Sequence, residues 1–188
     1  MTRRTTARAA SLALVGVLTL PLPAGAQHHG APSQPYGGFQ GREIKALSEK
    51  EIDDLKAGSG MGLALAAELN GYPGPAHVLE LAEPLALSSG QRQRMAELFE
   101  AMKHETMALG DRLIAAEAAL DRQFAGHAVT KATLDEAVRS AAVLQGELRA
   151  AHLRYHLVTV EVLTPEQVAR YAALRGYGTA TPAPHRHP

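Results

Sequence analysis

Two histidines stand four residues apart in His152-Leu-Arg-Tyr-His156, in a chain with nine histidines and no cysteine. On a helix, side chains at i and i+4 share a face with Cβ atoms about 5–6 Å apart. Both imidazoles can then reach one ion at about 2.0–2.1 Å. The chemistry would be that of a divalent transition metal (zinc, nickel, cobalt or copper), for which neutral imidazole is a good donor. A pair of ordinary surface histidines would show the same spacing, so this pair is a candidate. Glu100 and His104 form a second pair four apart, and His77 stands alone upstream. His28 and His29 precede the candidate domain, and His185 and His187 fit a solvated tail equally well.

Enzyme signatures fail at particular positions. His104-Glu105-Thr106-Met107-Ala108 begins like the metalloprotease H-E-x-x-H but ends in alanine, so the second zinc ligand is missing. Gly58-Ser-Gly60-Met-Gly62 lacks both the spacing and the preceding strand of a dinucleotide loop, and Ser59 lacks the frame of a nucleophile elbow. Met95, Met102 and Met107 lie at spacings that suit core filling better than a soft-metal box. A binding protein is expected, not an enzyme.

The elements that would position these residues are helices. Apolar residues recur at Met95, Leu98, Met102, Leu109, Leu113, Leu120 and Phe124, and again at Leu134, Val138, Ala141, Leu144, Leu148, Tyr155, Val158 and Val162. Steps of three, four and seven are helical periodicity. The break at Gly126-His127 is short, which predicts an antiparallel hairpin of helices over 88–124 and 133–162. With the turn near Ala128, His152 falls level with His104 and His156 with Glu100. On a helical wheel, however, Glu100 and His104 lie well round from Leu98 and Met102 and can face solvent or a partner instead.

Ser48 and Glu51 spell a capping box for a short helix with Ile52 and Leu55 inward, stopping near Gly58. Leu63–Leu69 reads as another, ended by Asn70-Gly71, and Pro75 opens a third through Leu81. That third helix should cross the open end of the hairpin near Leu163, which makes His77 a rival third ligand. The fold class is therefore all-α: a long antiparallel hairpin with short flanking helices, and disordered arms at both ends.

One pattern occurs twice. Leu87-Ser88-Ser-Gly-Gln91 and Leu163-Thr164-Pro165-Glu-Gln167 both continue with Arg, Ala and Leu at matching positions. Ser88 and Thr164 suit N-caps, Gln91 and Gln167 the third helical position, and Pro165 the first. Either copy alone is simply a good helix start. Together, over roughly residues 75–177, they resemble the paired L-T-x-x-Q motifs of the Spy/CpxP family. The likeness is to its heavy-metal resistance and sensor branch, with zinc-binding ZraP-like and nickel/cobalt-sensing CnrX-like members.

That resemblance implies a hairpin with flanking helices, a homodimer and no catalysis. It places His152 and His156 where the nickel/cobalt sensor carries a His-x-x-x-Met pair, with no methionine matched here. A similar place for His77 follows from histidines in that sensor's upstream helix. The implied partners are a membrane-bound envelope-stress regulator or unfolded periplasmic proteins. In the latter case the chain would be an ATP-independent chaperone, shielding clients in a dimeric helical cradle.

Composition sets the surroundings. Arg3, Arg4 and Arg8 precede an apolar stretch that ends Ala24-Gly25-Ala26, the pattern of a secretory signal peptide over 1–26. The destination is periplasmic, with Sec and twin-arginine routes both open. Cleavage after Ala26 removes three bases and no acid. The remaining chain is then slightly acidic, which argues against nucleic acid and weighs mildly against a basic chaperone cradle. The new terminus, Gln27-His28-His29, would offer an amine, two amides and an imidazole, a square-planar set for Cu(II) or Ni(II) unless Gln27 cyclises. Residues 27–46 read as a flexible arm, 47–176 as the domain and 177–188 as a His/Pro tail. With no cysteine there is no disulfide framework. With only three Phe and five Tyr, the core must come from Leu, Ala, Val and Met.

Overall fold

The computed structural model describes residues 35–177; the expected signal peptide, Gln27-His28-His29, His185 and His187 lie outside them. Every regular element in the described residues is helical. After a 3-10 turn at Phe39–Gly41 come α1 (Glu49–Lys56), α2 (Leu65–Glu68), α3 (Pro75–Glu80), α4 (Ser89–Ala125), α5 (Lys131–Val162) and α6 (Pro165–Leu174). None is long and apolar enough to cross a membrane.

The helix starts follow from local chemistry. Ser48, Ser88, Thr130 and Thr164 each accept the backbone N–H three residues on. Glu51, Gln91, Thr133 and Gln167 reach back to close the box, each closure satisfying two backbone donors that the first turn leaves orphaned. Helix α2 is shorter than the apolar run 63–69 suggests. Met61 and Gly62 adopt positive φ (47° and 75°), which delays the start, and Leu65 and Leu69 stay exposed.

Helices α4 and α5 form the antiparallel hairpin, with Arg112–Glu147 and Arg154–Glu105 ion pairs as rungs along its outside. Two apolar clusters hold the molecule. One joins Leu109 and Leu113 of α4 to Ala141, Leu144, Leu148 and Ala151 of α5, with Leu55 of α1 pressed in. At the open end the other gathers Val78, Leu85, Leu87, Met95, Leu98, Leu163 and Tyr171. Met95 and Met102 are core as expected, whereas Met107 is partly exposed. Phe124 and Val138, which keep the apolar period, are exposed near the hairpin tip, beyond the reach of the short helices.

The two copies of the repeated motif meet. Gln91 Nε2 donates to Gln167 Oε1 (2.8 Å) and to the Val162 carbonyl (2.9 Å). Gln167 Nε2 donates in return to Gln91 Oε1 (3.1 Å) and to the Leu85 carbonyl (3.3 Å). Each glutamine caps its own helix and ties it to the other, while Leu87 and Leu163 are buried beside them. Both ends of the domain extend past the expected boundaries. Ile44 is buried and the Lys45 backbone N–H donates to Asp121 (3.2 Å), which pins down the end of the expected arm. Tyr177 packs edge-on to Tyr171.

Candidate functional site

The turn from α2 into α3 brings an acid into the core. Glu68, the last residue of α2, is only 5% exposed. Its carboxylate accepts the Gly74 N–H (3.3 Å), the His77 Nδ1–H (3.3 Å) and the Tyr171 hydroxyl, with Arg175 at 4.0 Å. Burial alone would push the Glu68 carboxyl up. Hydrogen bonds from His77 and Tyr171, helped by the nearby His77 and His156, outweigh it and hold the group at about 2. Tyr171 moves the other way, because burial and the adjacent anion both keep its proton on. Glu68 is therefore ionised and Tyr171 is a donor.

His156 comes up beside this carboxylate from α5. Its Nδ1 lies 2.6 Å from the Tyr72 carbonyl and 3.7 Å from Glu68 Oε2. A carbonyl can only accept, so Nδ1 carries a proton; in the neutral form of this ring the lone pair is then on Nε2, the arrangement a metal-binding imidazole needs. Gly74 lies flat on this ring: a Cβ there would stand 2.8 Å from both Cε1 and Nε2. Any side chain at 74 would push the imidazole aside.

One turn back, His152 is 2% exposed and its Nε2 has no hydrogen-bond partner. Burial depresses the His152 pKa, the neighbouring His156 lowers it further, and the Ser59 backbone opposes both in part. His152 is thus a neutral imidazole with a buried, unsatisfied nitrogen. Leaving such a group unpaired costs about 1–3 kcal/mol.

Both rings line a cavity of ≈ 500 Å³. Its other walls are the loop 57–62, Leu65 and Glu68 of α2, His77 of α3, and Phe99, Met102 and Lys103 of α4. The loop seats on α4 at Gly58 (φ 65°), where a Cβ would fall 2.7 Å from Thr106 Oγ1 and 3.1 Å from the Lys103 carbonyl. Only glycine meets both the angle and the approach.

The structure brings His152, His156 and His77 to one cavity. It does not bring Glu100 and His104 there: both are exposed, and α4 turns Phe99 and Lys103 to the cavity instead. The heights inferred from the hairpin turn do not make a four-ligand set, because one residue along a helix is about 100° of rotation. Among the described residues, no group of three or more His, Asp or Glu is placed to hold a metal ion together. His77 is turned to Glu68 and His156 Nδ1 to Tyr72. Glu68 is the residue that sequence reasoning missed, although an acid alone in the apolar run 63–69 was its signal. Leu87, Ser88, Gln91, Leu163, Thr164, Pro165 and Gln167 build the clasp between helix starts and do not line the cavity. No protein family, curated protein or solved structure was found to match the chain.

Proposed function

We propose that this chain is a periplasmic metal-binding protein of Spy/CpxP-like type that senses or buffers a divalent transition cation. His152 and His156 are the donors, and the His77–Glu68 pair lines the same cavity without being free to join them. The observation that carries this reading is His152 Nε2, buried and unpartnered in a side chain that lines the same cavity as His156. A bound ion would satisfy that nitrogen. Imidazole donors favour zinc, nickel, cobalt or copper over calcium and magnesium. The family resemblance and the expected signal peptide support a role in metal resistance or envelope stress. The chain acts by binding, without catalysis.

The test is calorimetric titration of the untagged mature chain with zinc, nickel and copper. A His152→Ala/His156→Ala variant should lose at least about tenfold in affinity. Gly74→Ala, which keeps both histidines but pushes the His156 ring aside, should weaken binding in the same direction. Circular dichroism guards against misfolding of the double variant. Binding requires neutral imidazoles, and the His152 pKa is depressed. Its contribution therefore persists below the usual histidine range and is lost only in more acidic solution. Equal affinity in the wild type and both variants would exclude this site.

A second reading, an ATP-independent chaperone with a dimeric cradle, is favoured by Phe124, Val138, Val143 and Leu157, all about half exposed on the hairpin. It expects stoichiometric protein to suppress aggregation of a reduced or heat-stressed client, and the His152/His156 variant to do so equally well. Unabated client aggregation counts against it.

A further inference from the structure

We propose that the cavity takes its cation as a chelate, an ion already carrying a small hydroxy- or amino-carboxylate, with the ion on His152 and His156 and the carboxylate facing Lys103. This rests on the metal reading above and adds the class of ligand that travels with the metal.

Donor supply is the first argument. Divalent first-row ions take four to six donors. Here the chain offers two imidazoles on one helical turn, while His77 and Glu68 are paired with each other at 3.3 Å and no three-residue group is placed to enclose an ion among the described residues. The remaining positions must be filled from outside this set.

Volume is the second. The cavity measures ≈ 500 Å³. A water molecule occupies about 30 Å³, so the two to four that would complete an ion's shell fill at most about a quarter of it. The space is instead that of an organic ligand site, which runs from about 300 to 1,000 Å³.

The lining is the third. Leu65, Phe99 and Met102 present carbon surface, which gives extra waters no partners but suits a carbon skeleton. Charge is arranged to match. Lys103 is the cationic side chain of the α4 wall and makes no ion pair among the described residues, so a ligand carboxylate can take its ammonium. The Glu68 anion does not compete for it, being engaged by Gly74, His77 and Tyr171.

Equilibrium dialysis of the untagged mature chain separates the possibilities, using nickel alone, labelled citrate alone, labelled histidine alone, and each label with one equivalent of nickel. The expected result is about one label retained per chain with nickel and none without it. Lys103→Met, an exposed position that should leave the fold intact, should cut label retention at least about tenfold while nickel alone binds as before. If nickel binds but neither label is retained, the chelate proposal fails and the metal reading stands. If nickel binds in no form, the metal reading itself fails. Retention without nickel, retention that Lys103→Met leaves unchanged, or nickel binding that depends on His28, His29, His185 or His187 would each overturn the proposal.

Discussion

Glu68→Ala loses about 3–5 kcal/mol of unfolding free energy at pH 7, the cost of breaking a buried charged network by removing one member. The substitution strands the Tyr171 hydroxyl, the Gly74 N–H and the His77 Nδ1–H, all of which donate to this carboxylate. Acid titration reports the same interaction independently. The carboxyl is held at about 2 in the folded protein against an ordinary 4.5. Its contribution is complete above the ordinary value and is lost as pH falls from there towards 2, a difference of roughly 3 kcal/mol. Urea unfolding at pH 7 and at steps down to pH 2, followed by circular dichroism, measures both. Wild type should weaken across that window, and Glu68→Ala should weaken less. A neutral-pH loss under about 1 kcal/mol would show the network to be dispensable.

Gly110→Ala costs about 2 kcal/mol, against the trend for glycine in a helix. Alanine should gain about 1 kcal/mol at a mid-helix glycine. At Gly110, however, the new Cβ would stand 2.4 Å from the Leu55 carbonyl oxygen and 2.9 Å from its carbon. Those are backbone atoms of α1, which cannot rotate away as a side chain would. Helix α1 must lift, and Leu55, 3% exposed, loses part of a burial worth about 1.5–3 kcal/mol. The control is Gly146→Ala on α5, an exposed helical position where a Cβ meets nothing within 4 Å. There only the propensity gain remains. Thermal unfolding of the two variants should move in opposite directions; if both rise, α1 does not pack on Gly110 as described.

The parts of this molecule written in local chemistry were legible from its residues. Ser48, Ser88 and Thr164 cap the helices they were expected to cap, and the short break at Gly126-His127 folds the hairpin, because hydrogen bonds across three residues need no knowledge of the rest of the chain. What depends on rotation about a helix axis was harder to read. Glu100 and His104 have the right height on α4 and the wrong face, whereas Phe99 and Lys103, one residue earlier in each case, reach the cavity. Glu68 was hidden for a different reason. Its partners come from three separate stretches of sequence, Gly74 and His77 at the start of α3, His156 on α5 and Tyr171 on α6, and only the fold assembles them. The twin motif announced two helix starts but not that Gln91 and Gln167 would bond each other.

That glutamine clasp differs in kind from the Glu68 network a short way along the chain. It is made of neutral amides and backbone carbonyls, so neither protons nor salt acts on it directly. The Glu68 network lives by ionisation. The domain thus carries two fastenings with unlike sensitivities. One keeps the ends of the hairpin shut under any ionic condition, and the other holds α2 and α3 against the bundle only while a carboxylate keeps its charge. Acid therefore acts on the wall of the cavity before it acts on the frame.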